Sequence, residues 1–449
     1  MMRSSKTPET RLQLRAGSES PIKMKSDKSK KVPCAHYAEC SGCPLMELSY
    51  PEQLRKKRND ILNAFEAAGF APVAIKKILK ETRPSPKTLG YRNKAKWILQ
   101  HDDDTGELKM GIYRQGTHDV VDIPTCSVHA PLINEVSLHI KKNLVSEKVP
   151  ITETDLQSPS LRYLIVRYSF RDKKVICVFV TTRKSVAGLD RVIEKLQAAF
   201  GDRIVALVQN INDDPGNVLL GEANRFVVKN GELTEQMGAL RVSVGPLSFL
   251  QVNSAQAAYL YQRVRELLGK GPYKQGLDLY SGVGIMAMHL AASTEKILSV
   301  EEVGPAALEG VTAARRNKIH NVLQLCADAH DGVLTFHKEW GKPDWVVLNP
   351  PRKGCEPRVL EALLERAPKK IVYVSCGPKS LARDLKFLTE QGPYRILSLE
   401  PVDMFPQTAH VECIALLEEK KTPRAEGASK PAKRTSRHSR GQKGSKLLH

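Results

Sequence analysis

No apolar run in this chain approaches the roughly 18 residues that a helix needs to cross a bilayer, and the charged N-terminus carries no apolar signal core. The expectation is a soluble, cytoplasmic protein with no membrane partner. Cysteine is scarce too. Nine in 449 residues is an odd count in a long chain, which argues against a disulfide framework and leaves metal or catalytic use. Acidic residues run short of basic ones, 49 against 69, for a net charge of +20. The imbalance is concentrated at the ends: residues 1–31 hold nine Lys/Arg against three Asp/Glu, and residues 420–449 hold ten against one. Both ends are rich in Ser, Pro, Gly and Lys and poor in large apolar residues, so they read as disordered basic tails attracted to a polyanion. Solubility alone would account for such tails less well than RNA binding does. The 41% of hydrophobic residues, concentrated in the middle, is enough for two or three domains.

The first local signal is CAHYAECSGCP, with Cys34, Cys40 and Cys43 in C-x5-C-x2-C spacing and Cys126 in DIPTCSVH as a distant fourth. Three thiols within ten residues plus one more suit a tetrahedral zinc or a [4Fe–4S] cluster, and spacing does not choose between them. Glycine and proline around Cys43 supply the turn a ligand loop needs. Residues 32–87 are therefore assigned to a cysteine-cluster segment, with a helix from Pro51 to Ala68 that has apolar spacing beside a basic face. LGYRNKAKWIL then reads as a strand that sends Arg92, Lys94 and Lys96 to one side, next to Tyr91 and Trp97, a pattern that suits RNA. The alternating runs LRYLIVRYSF, KKVICVFVTT and RIVALVQNI make residues 88–250 a β-rich α/β domain that contacts RNA and also supplies Cys126; Cys177 belongs to its core.

From Gln251 to residue 419 the pattern becomes strand, loop and helix in repetition, a Rossmann-like α/β domain. GLDLYSGVGIMAMHLA ends a strand at Asp278 and turns through two glycines into a helix, and ILSVEE delivers Glu301 to the next strand end, 23 residues on. That spacing suits a carboxylate on ribose hydroxyls. The turn lacks the third glycine of a dinucleotide fingerprint and no Walker lysine follows, so S-adenosylmethionine fits better than NAD or ATP. VLQLCADA ends near Asp328, in reach of an adenine, and DWVVLNPPRKG ends in Asn349 followed by two prolines that must turn the chain out at the sheet edge. Methyltransferases acting on an exocyclic amine follow such prolines with an aromatic; this chain has Arg352, which points away from amine chemistry.

KKIVYVSCGPKSLARDL places Cys376 where a short β-branched strand meets a Gly-Pro turn and a helix. Taken alone, such a cysteine is a small buried hydrophobe. Its neighbours change that reading. CAHYAECSGC with Cys126, YRNKAKW, SFLQVNSAQA, DLYSGVG, NPPRKG, VSCGP and MFPQTAHVECIALL together resemble the RNA uracil-5-methyltransferases, in particular the iron–sulfur branch acting on 23S ribosomal RNA, over residues 34 to 417. The resemblance implies that Cys34, Cys40, Cys43 and Cys126 hold a [4Fe–4S] cluster and that Gln251, Tyr280 and Glu301 bind S-adenosylmethionine. It also implies that Cys376 is the nucleophile and Glu412 the base. The family usually has Asp at Asn349, which contacts the cofactor or the uracil edge, and Phe-Cys at Tyr280-Ser281. The expected activity is methylation of carbon 5 of a uridine in RNA through a cysteine adduct at carbon 6, by a chain with no implied protein partner and hence monomeric. The alternatives are a transfer-RNA uracil-5-methyltransferase and a non-catalytic RNA-binding or assembly protein on the same fold. At the catalytic thiol, a strand end beneath a helix N-terminus is expected to lower its pKa.

Overall fold

The computed structural model describes residues 32–152, 156–214, 219–221, 223–243, 245, 250–420 and 447–448. The basic tail over 1–31 lies outside the described residues, as does nearly all of the tail over 420–449.

Behind the cysteine-bearing turns come α1 (Tyr50–Ala67) and α2 (Pro72–Ile78). Helix α1 starts where the sequence dictates. Ser49 and Glu52 form a capping box, in which the Ser49 N–H donates to Glu52 Oε2 at 2.8 Å, and Pro51 sits in the first turn, where a missing N–H costs nothing. Its apolar side buries Ile61 and Phe65 completely, worth roughly 1.5–3 kcal/mol each.

The first sheet is built from β1 (Lys94–His101), β2 (Leu108–Tyr113), β3 (Val120–Asp122), β4 (Leu161–Tyr168), β5 (Val175–Thr181), β6 (Ile204–Ile211) and β7 (Ala223–Lys229), in the order β3-β2-β1-β4-β5-β6-β7. All pairs are antiparallel except β5–β6, which α4 (Leu189–Phe200) connects. Helices α3 (Pro131–Ser146) and α4 cover one face, and a hairpin of β8 (Thr234–Met237) and β9 (Leu240–Ser243) follows. The alternation of β1 puts Lys94 and Lys96 on one face, as expected from the sequence. The same period of two sends Tyr91 and Trp97 to the other face, where each is only 2% exposed. The aromatics therefore belong to the core, with Trp97 Nε1 donating to Ser137 Oγ at 2.8 Å, and do not flank the cationic row as the sequence suggested.

The second sheet uses β10 (Tyr273–Leu279), β11 (Thr294–Glu301), β12 (Val322–Cys326), β13 (Trp345–Leu348), β14 (Lys370–Ser375), β15 (Tyr394–Val402), β16 (Glu412–Glu419) and β17 (Leu447–Leu448), in the order β15-β16-β14-β13-β10-β11-β12-β17. The five strands from β14 to β12 are parallel; β15, β16 and β17 are antiparallel to their neighbours. Between them run α5 (Ser254–Leu268), α6 (Ile285–Leu290), α7 (Gly304–Arg316), α8 (Ala329–Trp340), α9 (Pro357–Arg366) and α10 (Pro378–Glu390). This is the Rossmann-like methyltransferase fold that the motif order predicts. From β10 the chain moves outward to β11 and β12, then returns to β13 on the opposite side, so the strand order reverses between β10 and β13. Ligands bind at such a reversal, outside the carboxyl ends of the strands. One apolar cluster runs from Val178 and Val208 of the first sheet through Leu260 of α5 to Val347 and Val374 of the second. The other face of the second sheet packs on α8, α9, α10 and α1. Among the described residues no helix is long and apolar enough to cross a membrane.

Candidate active site

Ladder register places the central pair. In the antiparallel β14–β16 ladder, Ser375 faces Cys413. The ladder ends there: Glu412 opens β16, Cys376 follows directly after β14, and the Glu412 carboxylate lies close enough to act on the thiol electrostatically. Both residues therefore lie at the carboxyl edge of the sheet. Glu412 is 3% exposed, not the surface carboxylate that its sequence alone suggests, and Cys376 is half-buried.

Arg352 completes this group. Its guanidinium reaches the Cys376 thiol, its Nη2 lies 2.7 Å from His410 Nδ1, and its carbonyl accepts from Ser380 Oγ at 2.8 Å at the start of α10. Burial and the adjacent Arg352 push His410 down, which favours the neutral imidazole, whose unprotonated nitrogen can accept from the guanidinium. The sequence drew attention to Arg352 only as the absent aromatic, and passed over His410 inside MFPQTAH. Only the folded register brings both to Cys376.

The thiol does not have the lowered pKa expected of it. Burial first, then the Glu412 carboxylate, pushes it up; Arg352 pulls it down but does not prevail. Burial likewise pushes Glu412 up to about 7, against Arg352. Two neighbouring acids disfavour each other's ionised form, so an added positive charge at this edge favours the thiolate. A cavity of about 630 Å³ opens beside Cys376, between α1 and the start of α10, and is large enough for a nucleotide.

The residues expected to hold S-adenosylmethionine stand round the reversal between β10 and β13. Leu279 pairs with Leu348, so Tyr280 and Asn349 leave the sheet side by side. The turn is left-handed at Tyr280, Gly282 and Gly284, with φ of 60°, 56° and 69°. At Gly284 a Cβ would meet Gln324 Nε2 at 2.3 Å, so only glycine fits, whereas a Cβ on Gly282 would point into open space. Glu301 ends β11 and braces the turn, accepting from Gly282 N at 2.8 Å and Val303 N at 3.0 Å, with lone pairs to spare. Ser281 Oγ and Asp278 Oδ1 are buried at the turn without a hydrogen-bond partner among the described residues, and burial pushes Asp278 up to about 7. Orphaned polar atoms, an open glycine and a strand-end carboxylate make a donor and acceptor set that fits a nucleoside with an amino-acid tail. Asp328 caps α8, accepting from His330 N and Asp331 N, at the end of β12. Gln251 precedes α5, its carbonyl accepting from Asn93 Nδ2 at 3.2 Å.

The four N-terminal candidates converge as well. Cys34, Cys40, Cys43 and Cys126 line one enclosed pocket beneath Met46 and Val128. The loop bearing Cys126 is pinned by Asn134, which accepts from Cys126 N and donates to its carbonyl, both at 3.0 Å. Burial and then the neighbouring thiols push Cys43 up to about 12, with Arg92 the opposing charge. Four thiols lining one enclosed pocket, with Cys40, Cys43 and Cys126 each pushed up chiefly by burial, are a donor set that fits a metal centre.

A sequence model described as tRNA (Uracil-5-)-methyltransferase matches residues 244–420. The chain is 39% identical over 410 residues, 90% of its length and 80% of the relative's, to an uncharacterized RNA methyltransferase of Geobacter sulfurreducens. It is 33% identical over 395 residues, 87% of its length and 84% of the relative's, to another from Staphylococcus epidermidis. Among solved structures it resembles the Pyrococcus abyssi tRNA (uracil-54, C5)-methyltransferase in complex with S-adenosyl-L-homocysteine, with a TM-score of 0.68, 27% identity, and coverage of 84% of this chain and 86% of that one. With its motifs on the same fold and in the same order, the chain belongs to the RNA uracil-5-methyltransferase family of S-adenosylmethionine-dependent enzymes.

Proposed function

We propose that the protein methylates carbon 5 of one uridine in 23S ribosomal RNA through a covalent adduct on Cys376. The observation that carries this reading is that Cys376 directly follows β14 and Glu412 opens its antiparallel neighbour β16, with the carboxylate and Arg352 both acting on the thiol. Carbon 5 of uracil is too weak a nucleophile to take a methyl group from a sulfonium directly. Addition of the Cys376 thiolate to carbon 6 sends the electron pair to the carbon 4 oxygen as an enolate. Carbon 5 then attacks the methyl, the sulfur–methyl bond breaks, and S-adenosylhomocysteine leaves. The Glu412 carboxylate takes the carbon 5 proton, the 5,6 double bond re-forms, and the thiolate is expelled. Arg352, with the sulfonium when it is bound, supplies the positive charge that the thiolate needs. The target base leaves its stack to reach this edge, so the substrate is a loop or an opened stem.

The cationic row of Arg92, Lys94 and Lys96 supports an RNA partner. Burial, then the like charges of Arg167 and Lys96, pulls Lys94 down to about 7. Mapping 5-methyluridine in ribosomal and transfer RNA from cells with and without the protein tests the assignment. A site lost from 23S RNA is the expected result. A site lost only from transfer RNA would support the second reading, which the likeness to the Pyrococcus enzyme favours. Unchanged RNA modification would leave a binding or assembly protein.

Cys34, Cys40, Cys43 and Cys126 are the ligands of a [4Fe–4S] cluster in this reading, supported by their shared pocket and by the motif resemblance. Bound there, the cluster supplies the positive charge that lets four crowded thiolates coexist, and it joins the N-terminal turns to the loop at residue 126. Protein purified without oxygen should be brown and carry about four irons per chain. Stoichiometric zinc without iron would rule the cluster out. The protein acts as a monomer in the cytoplasm, where such a cluster and its RNA substrate coexist.

A further inference from the structure

The connection between β15 and β16, residues 403–411, carries His410 and ends at Glu412. Many of its anchors come from α1 and the turn before it. Asp403 is fully buried; its Oδ1 meets Lys57 Nζ at 2.5 Å and its Oδ2 accepts from the Tyr50 phenol at 2.9 Å. Lys57 Nζ also donates to the Phe405 carbonyl at 3.0 Å. Gln53 and Gln407 form a reciprocal pair: Gln53 Nε2 donates to Gln407 Oε1 at 2.9 Å, and Gln407 N donates to Gln53 Oε1 at 3.0 Å. The Gln407 carbonyl accepts from Leu45 N at 3.0 Å, two residues beyond Cys43. On the far side, Tyr91 Oη donates to the Pro406 carbonyl at 3.0 Å and Asn253 Nδ2 to that of Met404 at 3.2 Å.

Gln407 has φ of +72°, a left-handed conformation that a residue with a Cβ adopts only where its surroundings impose it. Both partners of the amide pair are buried, Gln53 at 1% and Gln407 at 6% exposure, so the pair has no water to compete with it. Such a bend is a way to set the direction in which the chain leaves toward His410 and Glu412.

We infer that α1 is a strut for the catalytic base, with Gln53 and Gln407 as positioning residues that hold the 403–411 connection so that Glu412 faces the substrate opposite Cys376. The inference rests on the chemistry proposed above. The nucleophile is anchored separately: Ser375 and Gly377 fix its turn through the contact of Gly377 N with Ser375 Oγ at 3.1 Å. Loosening the strut therefore impairs proton removal and spares thiol attack. Because Leu45 lies between Cys43 and α1, the four-cysteine segment forms the root of the same strut.

The test uses the full chain with its RNA substrate and S-adenosylmethionine, comparing Gln53→Ala and Gln407→Gly with wild type and Glu412→Gln. Glycine accepts φ of +72° without strain, so Gln407→Gly keeps the bend and the backbone N–H to Gln53 Oε1 while losing the side-chain half of the pair. Both variants should lose turnover by roughly 10²-fold, the scale of a misplacement of about 1 Å. They should also accumulate methylated RNA bonded to Cys376, seen as a slow band on a denaturing gel, as Glu412→Gln does. Alkylation of Cys376 by iodoacetamide should proceed at the wild-type rate. Wild-type turnover, or a loss of turnover with slowed alkylation and no adduct, overturns the strut. If Glu412→Gln itself forms no adduct, the chemical reading fails instead. Amide exchange across 404–411 then decides the strut on its own: faster exchange in Gln53→Ala upholds it, and unchanged exchange overturns it.

Discussion

Cys376→Ala should form no covalent complex with RNA and no 5-methyluridine, whereas Glu412→Gln should methylate carbon 5 and then stall with the RNA still bonded to Cys376. The two residues lie at one edge of the sheet, yet they act on opposite sides of the intermediate, so their loss must arrest the reaction at different points. The thiol forms the bond to carbon 6; without it the enolate never arises. The carboxylate acts only after methyl transfer, and a glutamine of the same shape cannot take the proton. Release should slow by roughly 10²–10⁴-fold, the range for losing a general base. A denaturing gel and mass spectrometry of the trapped nucleotide read both outcomes. Burial puts Glu412 at about 7, so wild-type release should quicken as pH rises through that value and its carboxyl loses the proton, and Glu412→Gln should lack this limb. Appreciable product from Cys376→Ala would return the thiol to the status of a core residue. Normal turnover by Glu412→Gln would require another base.

The parts of this site that lie in single strand-turn-helix units could be read from the sequence. The turn after β10, the double proline after β13 and the thiol after β14 each announce themselves by local composition, because a parallel strand must end in a turn at the edge where ligands bind. Four spaced cysteines were equally plain. What could not be read is whatever depends on register or on distant pairing. Nothing in VSCGP and AHVEC says that residues 376 and 412 meet at one sheet edge; the antiparallel entry of β16 beside β14 does. The direction of the thiol's pKa followed first from burial and then from that unseen neighbour, and so was expected with the wrong sign. Tyr91 and Trp97 were misplaced because strand alternation tells which residues share a face but not which face meets the core.

Lys57→Met should destabilise the protein by about 3–5 kcal/mol, although in sequence Lys57 belongs to the basic face of an amphipathic helix. Helical spacing treats it as one more solvated cation. In the fold it is fully buried, its ammonium paired with Asp403 some 346 residues away, and burial pulls its pKa down against the attraction of that carboxylate. Removing one member of such a pair leaves an uncompensated charge in the core, which costs far more than the pair itself contributes. With Lys57 gone, the Tyr50 phenol still donates to Asp403 Oδ2, but Oδ1 loses its ammonium. The double variant Lys57→Met with Asp403→Asn removes both charges and should recover more than half of the loss, since a neutral amide is much cheaper to bury than an unpaired carboxylate. Urea midpoints of the wild type, the two single variants and the double variant form the cycle that separates the cost of orphaning a charge from the worth of the pair. If Lys57→Met unfolds within about 0.5 kcal/mol of wild type, as an exposed lysine would, α1 is not welded to the catalytic sheet by this pair. If the double variant is no better than Lys57→Met, the cost lies in the lost packing and the hydrogen bond to the Phe405 carbonyl rather than in the unpaired charge.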